Sequence, residues 1–162
     1  MSYNVRKAQR EDLKQIEEIY AGARLFMEQT GNASQWGKHY PPVDLLEQDI
    51  AEQTLYVISE KETIHGVFYF WIGEDPTYQV IYDGFWRRQT SYGTIHRIAS
   101  DGSGGILAEA VSFASRQISH LRMDTHRDNH IMQRALEKQG FQKCGTIYLP
   151  DGTERIAYDK ID

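Results

Sequence analysis

The stretch from Ile95 to Phe141 constrains the fold more than any other part of the chain. A β-former run, Thr94 to Ser100 (Thr-Ile-His-Arg-Ile-Ala-Ser), enters a glycine-rich turn, Asp101-Gly102-Ser103-Gly104-Gly105. The turn opens a helix from Ile106 to Ser119 that carries Leu107, Ala110, Val111 and Ala114. A strand from Leu121 to Thr125 and a helix from Asn129 to Gln139 follow. Asp128 or Asn129 caps that last helix, and Gly140 ends it. Strands alternating with helices in this way point to an α/β domain around a mixed sheet.

The N-terminal half extends the sheet. Asn4 to Ala8 reads as a short strand, followed by a helix with Glu11 and Asp12 in its first turn. Leu13, Ile16, Tyr20, Ala23 and Met27 recur at helical spacing. Thr30 to Ser34 breaks that helix, and a loop with Trp36, Gly37, Tyr40 and Pro41 leads to a second helix starting at Pro42. Thr54 to Ser59 and Ile64 to Ile72 form a hairpin about Glu60-Lys61-Glu62, and Glu74-Asp75-Pro76 stops it. Gln79 to Tyr82 reads as irregular strand, and the residues from Asp83 to Tyr92 carry no clear period. Gln142 to Tyr148 and Glu154 to Lys160 are the last two strands, joined through the turn signal Asp151-Gly152. The expectation is a single α/β domain over residues 1–162, built on a mixed sheet in the order β-α-α-β-β-β-α-β-α-β-β.

Charge and composition narrow the function classes. A net charge of -5 gives no support to a phosphate-tracking nucleic-acid binder and mildly favours cationic substrates. The lone cysteine, Cys144, rules out an intramolecular disulfide and reads as a core thiol. Met1 to Lys7 has no apolar signal region, and no apolar run reaches the ~18 residues of a membrane span, so the expected location is the cytoplasm with no membrane partner. His126 and His130 stand four apart, but no third ligand has a suitable spacing, so no metal is expected.

The glycine-rich turn has two readings. Glycines let a diphosphate approach the backbone, and the unpaired N–H groups of a helix start favour anions. A tight strand-to-helix turn without a ligand uses glycine in the same way. Trp36, Tyr40, Tyr82 and Trp86 are candidate walls of a pocket, or local packing. Asp124 and His126 sit near a strand end, where they are solvated or line that pocket. Arg87-Arg88 reads as a solvated turn.

Three features together resemble the GNAT family of N-acetyltransferases: the strand Ile95 to Ser100 with its turn and helix, the strand Leu121-Arg122-Met123-Asp124-Thr125-His126, and Asn129 followed eleven residues later by Gly140-Phe141. The N-terminal helix pair, with Gln35-Trp36 and Tyr40-Pro41 between, resembles one branch of that family. The likeness covers nearly the whole chain. It implies acetyl-CoA as co-substrate, a primary amine of a small molecule or peptide as acceptor, direct attack without an acyl-enzyme, and a homodimer by family habit. Ile98, Ala99 and Ser100 would align the pantetheine. Gly102, Ser103, Gly104, Gly105 and Ile106 would hold the diphosphate, with Asn129 and Met132 also on the cofactor. His96 would be the general base; a strand histidine satisfied by a backbone carbonyl is the plain alternative.

Two departures stand out. The family's loop carries an Arg or Gln before its glycines, whereas this loop is shorter and has none; the family's helix often carries a Tyr seven residues after the Asn, where this chain has Leu136. These departures keep open a second reading, a non-catalytic acyl-CoA-binding or ligand-sensing module, and a third, an interaction domain that binds no CoA.

Overall fold

The computed structural model describes residues 2–162. Seven strands form one sheet: β1 (Asn4–Lys7), β2 (Leu55–Glu60), β3 (Thr63–Ile72), β4 (Gly93–Ser100), β5 (His120–Thr125), β6 (Gln142–Tyr148) and β7 (Glu154–Ile161). The helices are α1 (Leu13–Gln29), α2 (Val43–Ala51), α3 (Ile106–Ser115) and α4 (His130–Lys138). Strand order is β1-β2-β3-β4-β5-β7-β6. Every neighbouring pair is antiparallel except β4 and β5, which run parallel across the α3 crossover. The order of elements is the one the sequence predicts. Among the described residues no helix is long and apolar enough to cross a membrane.

Both faces of the sheet are covered, and the strands show it residue by residue. On β3, Val67 packs with α1 and α2 (Ile16, Ile19, Tyr20, Leu46, Ile50), while its neighbours Phe68 and Phe70 pack with α3 and α4 (Ile106, Ala110, Val111, Leu136). Alternate side chains serve opposite layers, so a strand buried on both sides reads as an unbroken apolar run.

The local differences from expectation have clear causes. Pro42 is the N-cap of α2 rather than its first residue, because its extended backbone lies outside the helix. Helix α3 ends at Ser115, four residues early: Gln117 and Ile118 both donate to the Ala114 carbonyl, which tightens the last turn and frees the chain to enter β5. The segment without a period, 83–92, runs beside β6. Tyr82 bridges Thr146, Phe85 donates its N–H to Cys144, and Trp86 and Tyr92 join a third core cluster with Tyr78, Ile147 and Ala157.

Candidate active site

Strands β4 and β5 pair only at Gly93↔Leu121 and Thr94↔Arg122. From Ile95 and Met123 onward they part, so the β5-facing edge of β4 has no strand partner there among the described residues. A bulge sharpens the divergence. Val67 faces Ala99 and Tyr69 faces His96, so Arg97 and Ile98 together oppose the single residue Phe68. Arg97 takes a φ of 52°, a left-handed conformation rare outside glycine. Its neighbours hold it there. The Tyr20 hydroxyl donates to the Arg97 carbonyl at 2.7 Å, the guanidinium meets buried Asp49 at 2.5 Å, and it lies 4.6 Å from the centre of the Tyr69 ring.

The gap is a cleft of about 570 Å³. His96 stands in it between two carboxylates. Its Nε2 is 2.7 Å from Asp75 Oδ2, and its Nδ1 is 3.9 Å from Asp124 Oδ2. Burial pushes the Asp75 carboxyl up, but the bond and charge of His96 and two bonds from Thr77 more than offset this, leaving it at about 2. An ionised carboxylate only accepts, so Nε2 carries a proton toward Asp75, and Nδ1 is the ring nitrogen turned toward Asp124. Asp124 Oδ2 accepts from the Tyr78 hydroxyl at 2.6 Å, and Oδ1 has only Arg155 Nε, at 3.9 Å.

Gln35 ties the α1–α2 loop to this cleft. Its Oε1 accepts from Asn129 Nδ2 at 3.1 Å and from Asn32 Nδ2 at 2.9 Å, and its carbonyl accepts from Arg155. Asn129 is also the N-cap of α4, accepting the Met132 N–H at 3.0 Å.

A second groove, of about 770 Å³, runs between α1 and α4 toward the end of β4. It shares Met27, Ile98, Asn129 and Met132 with the first, so the two are continuous. Ala99, Ser100 and Gly102 line its far end. In the glycine-rich turn, Gly102 N–H is already taken by Ser100 Oγ (3.0 Å) and Ser103 N–H by Asp101 Oδ1 (2.9 Å). The carbonyl of Gly104 accepts from the Tyr3 hydroxyl. The Ile106 side chain is buried in the core at the start of α3.

The structure thus brings Trp36, Tyr40, His96, Ile98, Asp124, Asn129 and Met132 to one cleft. It places Tyr82, Trp86 and His126 outside the residues that line it. Tyr82 is half exposed and packs edge-on against Tyr148. Trp86 is buried: its indole N–H donates to the Tyr78 carbonyl, and Arg122 stacks on its ring at 4.2 Å. His126 accepts the Asp128 N–H on Nδ1, and burial together with the charge of Arg155 holds its pKa below the usual imidazole value. Arg87 is not a solvated turn residue; it meets fully buried Asp159 at 2.5 Å. Leu136, on α4, is buried in the core cluster that includes Ile106, Ala110 and Val111 of α3. Asp75, Tyr78 and Arg155 are cleft residues or supports that the sequence reading did not single out. Asp75-Pro76 reads locally as a strand stop, and indeed Asp75 caps the short turn Pro76–Tyr78.

No family model matches the sequence, and no curated protein matches it. Solved structures do. A GNAT-family acetyltransferase from Streptococcus agalactiae 2603 is 31% identical, with a TM-score of 0.88 over 99% of this chain and 95% of that one. A GNAT-family acetyltransferase from Listeria monocytogenes 4b F2365 (16%, TM-score 0.72, 99% and 95% covered) has the same fold. So does a ribosomal-protein-alanine N-acetyltransferase from Brucella melitensis (17%, TM-score 0.64, 98% and 99% covered).

Proposed function

The chain belongs to the GNAT family of acetyltransferases, and from that premise we propose that it moves an acetyl group from acetyl-CoA to a primary amine of a small molecule or peptide by direct attack. The observation that carries this reading is His96, held by Asp75 with its free nitrogen toward Asp124 in the cleft where β4 and β5 part.

The residues present fit the pantetheine arm. The unpaired edge of β4 offers backbone groups that an extended amide-bearing arm can pair with, as an added strand would. The groove continuous with the cleft gives that arm a path toward the loop. Bound there, acetyl-CoA supplies the activated carbonyl. Asp124 holds the incoming ammonium through Oδ1. His96 Nδ1 takes a proton from it, directly or through one water, and Asp75 stabilises the resulting imidazolium. Trp36 and Tyr40 wall the acceptor side. Leucine at position 136 offers no proton to the departing thiolate, whose reference pKa of ~8.5 lets it leave unassisted.

The buried Leu136 and the occupied loop N–H groups favour a second reading, an acyl-CoA-binding module without turnover. A thermal-shift titration with acetyl-CoA and CoA, with ATP as a phosphate control, tests the shared part of both. At ~100 times its dissociation constant a ligand adds about 2.7 kcal/mol. For a domain of this size that is a rise of about 5 to 10 °C. Selective stabilisation by the two CoA species, followed by thiol release with an amine panel, is the expected result. No shift at millimolar ligand sinks the assignment, and a shift without turnover on any amine leaves the binding module.

A further inference from the structure

The glycine-rich turn is folded around its own side chains. Ser100 Oγ accepts Gly102 N–H and donates to the Ser103 carbonyl at 3.2 Å. Asp101 Oδ1 accepts Ser103 N–H, and Asp101 Oδ2 lies 2.7 Å from His65 Nδ1 on β3. Asp101 N–H in turn donates to the His65 carbonyl. Two backbone N–H groups of the turn are therefore spent internally, one of them on Gly102, which lines the groove. Gly104 and Gly105 N–H meet no acceptor among the described residues and remain, with the first turn of α3. The loop from Ser100 to Leu107 contains no Lys or Arg, and it does contain a carboxylate. Burial raises the Asp101 carboxyl, but bonds from Ser103 and His65 bring it below its usual range, so it is ionised at neutral pH.

Each charge-assisted N–H bond to a phosphate is worth about 10- to 100-fold in affinity. A loop short of two donors and carrying a negative charge is thus a poor grip for a dianionic diphosphate. The groove beyond it is different in kind: Ile19, Ala23, Phe26, Ile98, Ile131 and Met132 give it an apolar wall that runs to the open edge of β4.

We propose that this protein recognises its acyl donor mainly through the phosphopantetheine arm, with the nucleotide half of CoA a weak handle that Asp101 actively disfavours. The inference rests on the acetyl-CoA reading above and adds which part of the donor is selected. It makes Asp101 a specificity-determining residue, with Ser100 and His65 holding the turn that presents it.

Isothermal titration of the protein with CoA, 4′-phosphopantetheine and pantetheine reads this without turnover. Removing the nucleotide half, from CoA to 4′-phosphopantetheine, is expected to weaken binding less than about 10-fold. A loss of 10-fold or more overturns the proposal while leaving the acetyl-CoA reading intact. Binding of neither overturns both. The substitution Asp101→Asn keeps an acceptor for Ser103 N–H, removes the charge and places an amide nitrogen opposite His65 Nδ1. It is expected to tighten CoA by about 10-fold at low salt, with pantetheine unchanged and a native melting profile. Unchanged or weaker CoA binding in a folded Asp101→Asn protein overturns the role given to Asp101.

Discussion

The Tyr20 hydroxyl reaches from α1 to donate to the backbone carbonyl of Arg97, 2.7 Å away, in the bulge of β4. Tyr20 is buried, and burial raises its pKa far above the usual phenol value, so it stays a donor at every working pH. Tyr20→Phe leaves the carbonyl without its partner. The expected cost is about 1 to 3 kcal/mol of stability, a fall in Tm of several degrees. Because the bulge sets the β4 edge, kcat/KM should drop further than the stability loss explains, measured well below the new Tm.

His96 and Asp75 are expected to separate by role. His96→Ala should lower kcat by about 10² to 10⁴, the range for loss of a general base. Asp75→Asn should leave His96 in place but lose its single tautomer, so the ring nitrogens in a ¹⁵N-labelled protein should no longer report one protonated Nε2. Its kcat should fall by less than in His96→Ala. Unchanged ring nitrogen signals in Asp75→Asn would remove Asp75 from the mechanism.

Asp159, like Asp75, is expected to contribute to the acid limit of stability. Burial raises its carboxyl, but bonds from His120 and Arg87 more than offset that, leaving it at about 2. The folded value lies below the unfolded one, near 3.9. Its contribution is therefore complete above about pH 4 and is lost as pH falls through 4 toward 2, a loss of roughly 2 kcal/mol. Urea midpoints between pH 6 and 2 should show that slope. In Asp159→Asn the slope should shrink, and stability at pH 7 should fall by about 3 kcal/mol, because Arg87 loses its buried partner.

Much of this was legible in the sequence, and the reasons differ by residue. Asn129 announces a cap because a cap is a local bond, here to the N–H of Met132 three residues on. His96 is legible only through its family position. Asp75 and Tyr78 were not legible. Their partners, His96 and Asp124, lie 21 and 46 residues away, and nothing in Asp-Pro-Thr-Tyr encodes that distance. Trp86 and Tyr82 fail in the other direction. An aromatic ring looks the same in a core as in a pocket wall, and segment 83–92 has no period to say which face it turns inward.

Gly84 supplies a check on that segment. A Cβ there would sit 1.8 Å from the Cys144 carbonyl oxygen, a backbone atom that cannot swing aside. Gly84→Ala should therefore displace residues 82–85 from β6 and cost more than about 2 kcal/mol in chemical denaturation. An alanine variant as stable as the parent would show that this stretch is not seated on the sheet as described.

The parallel contact between β4 and β5 is two residue pairs long, and among the described residues it is the only strand contact between the β1–β4 half of the sheet and the β5–β7 half. The molecule is in this sense a book with a short spine. One cover, β4 with α1, carries His96 and the unpaired edge of β4; the other, β5 with β7, carries Asp124 and Arg155. Under the function proposed above, substitutions on the second cover are expected to change the choice of acceptor while the first cover stays as it was.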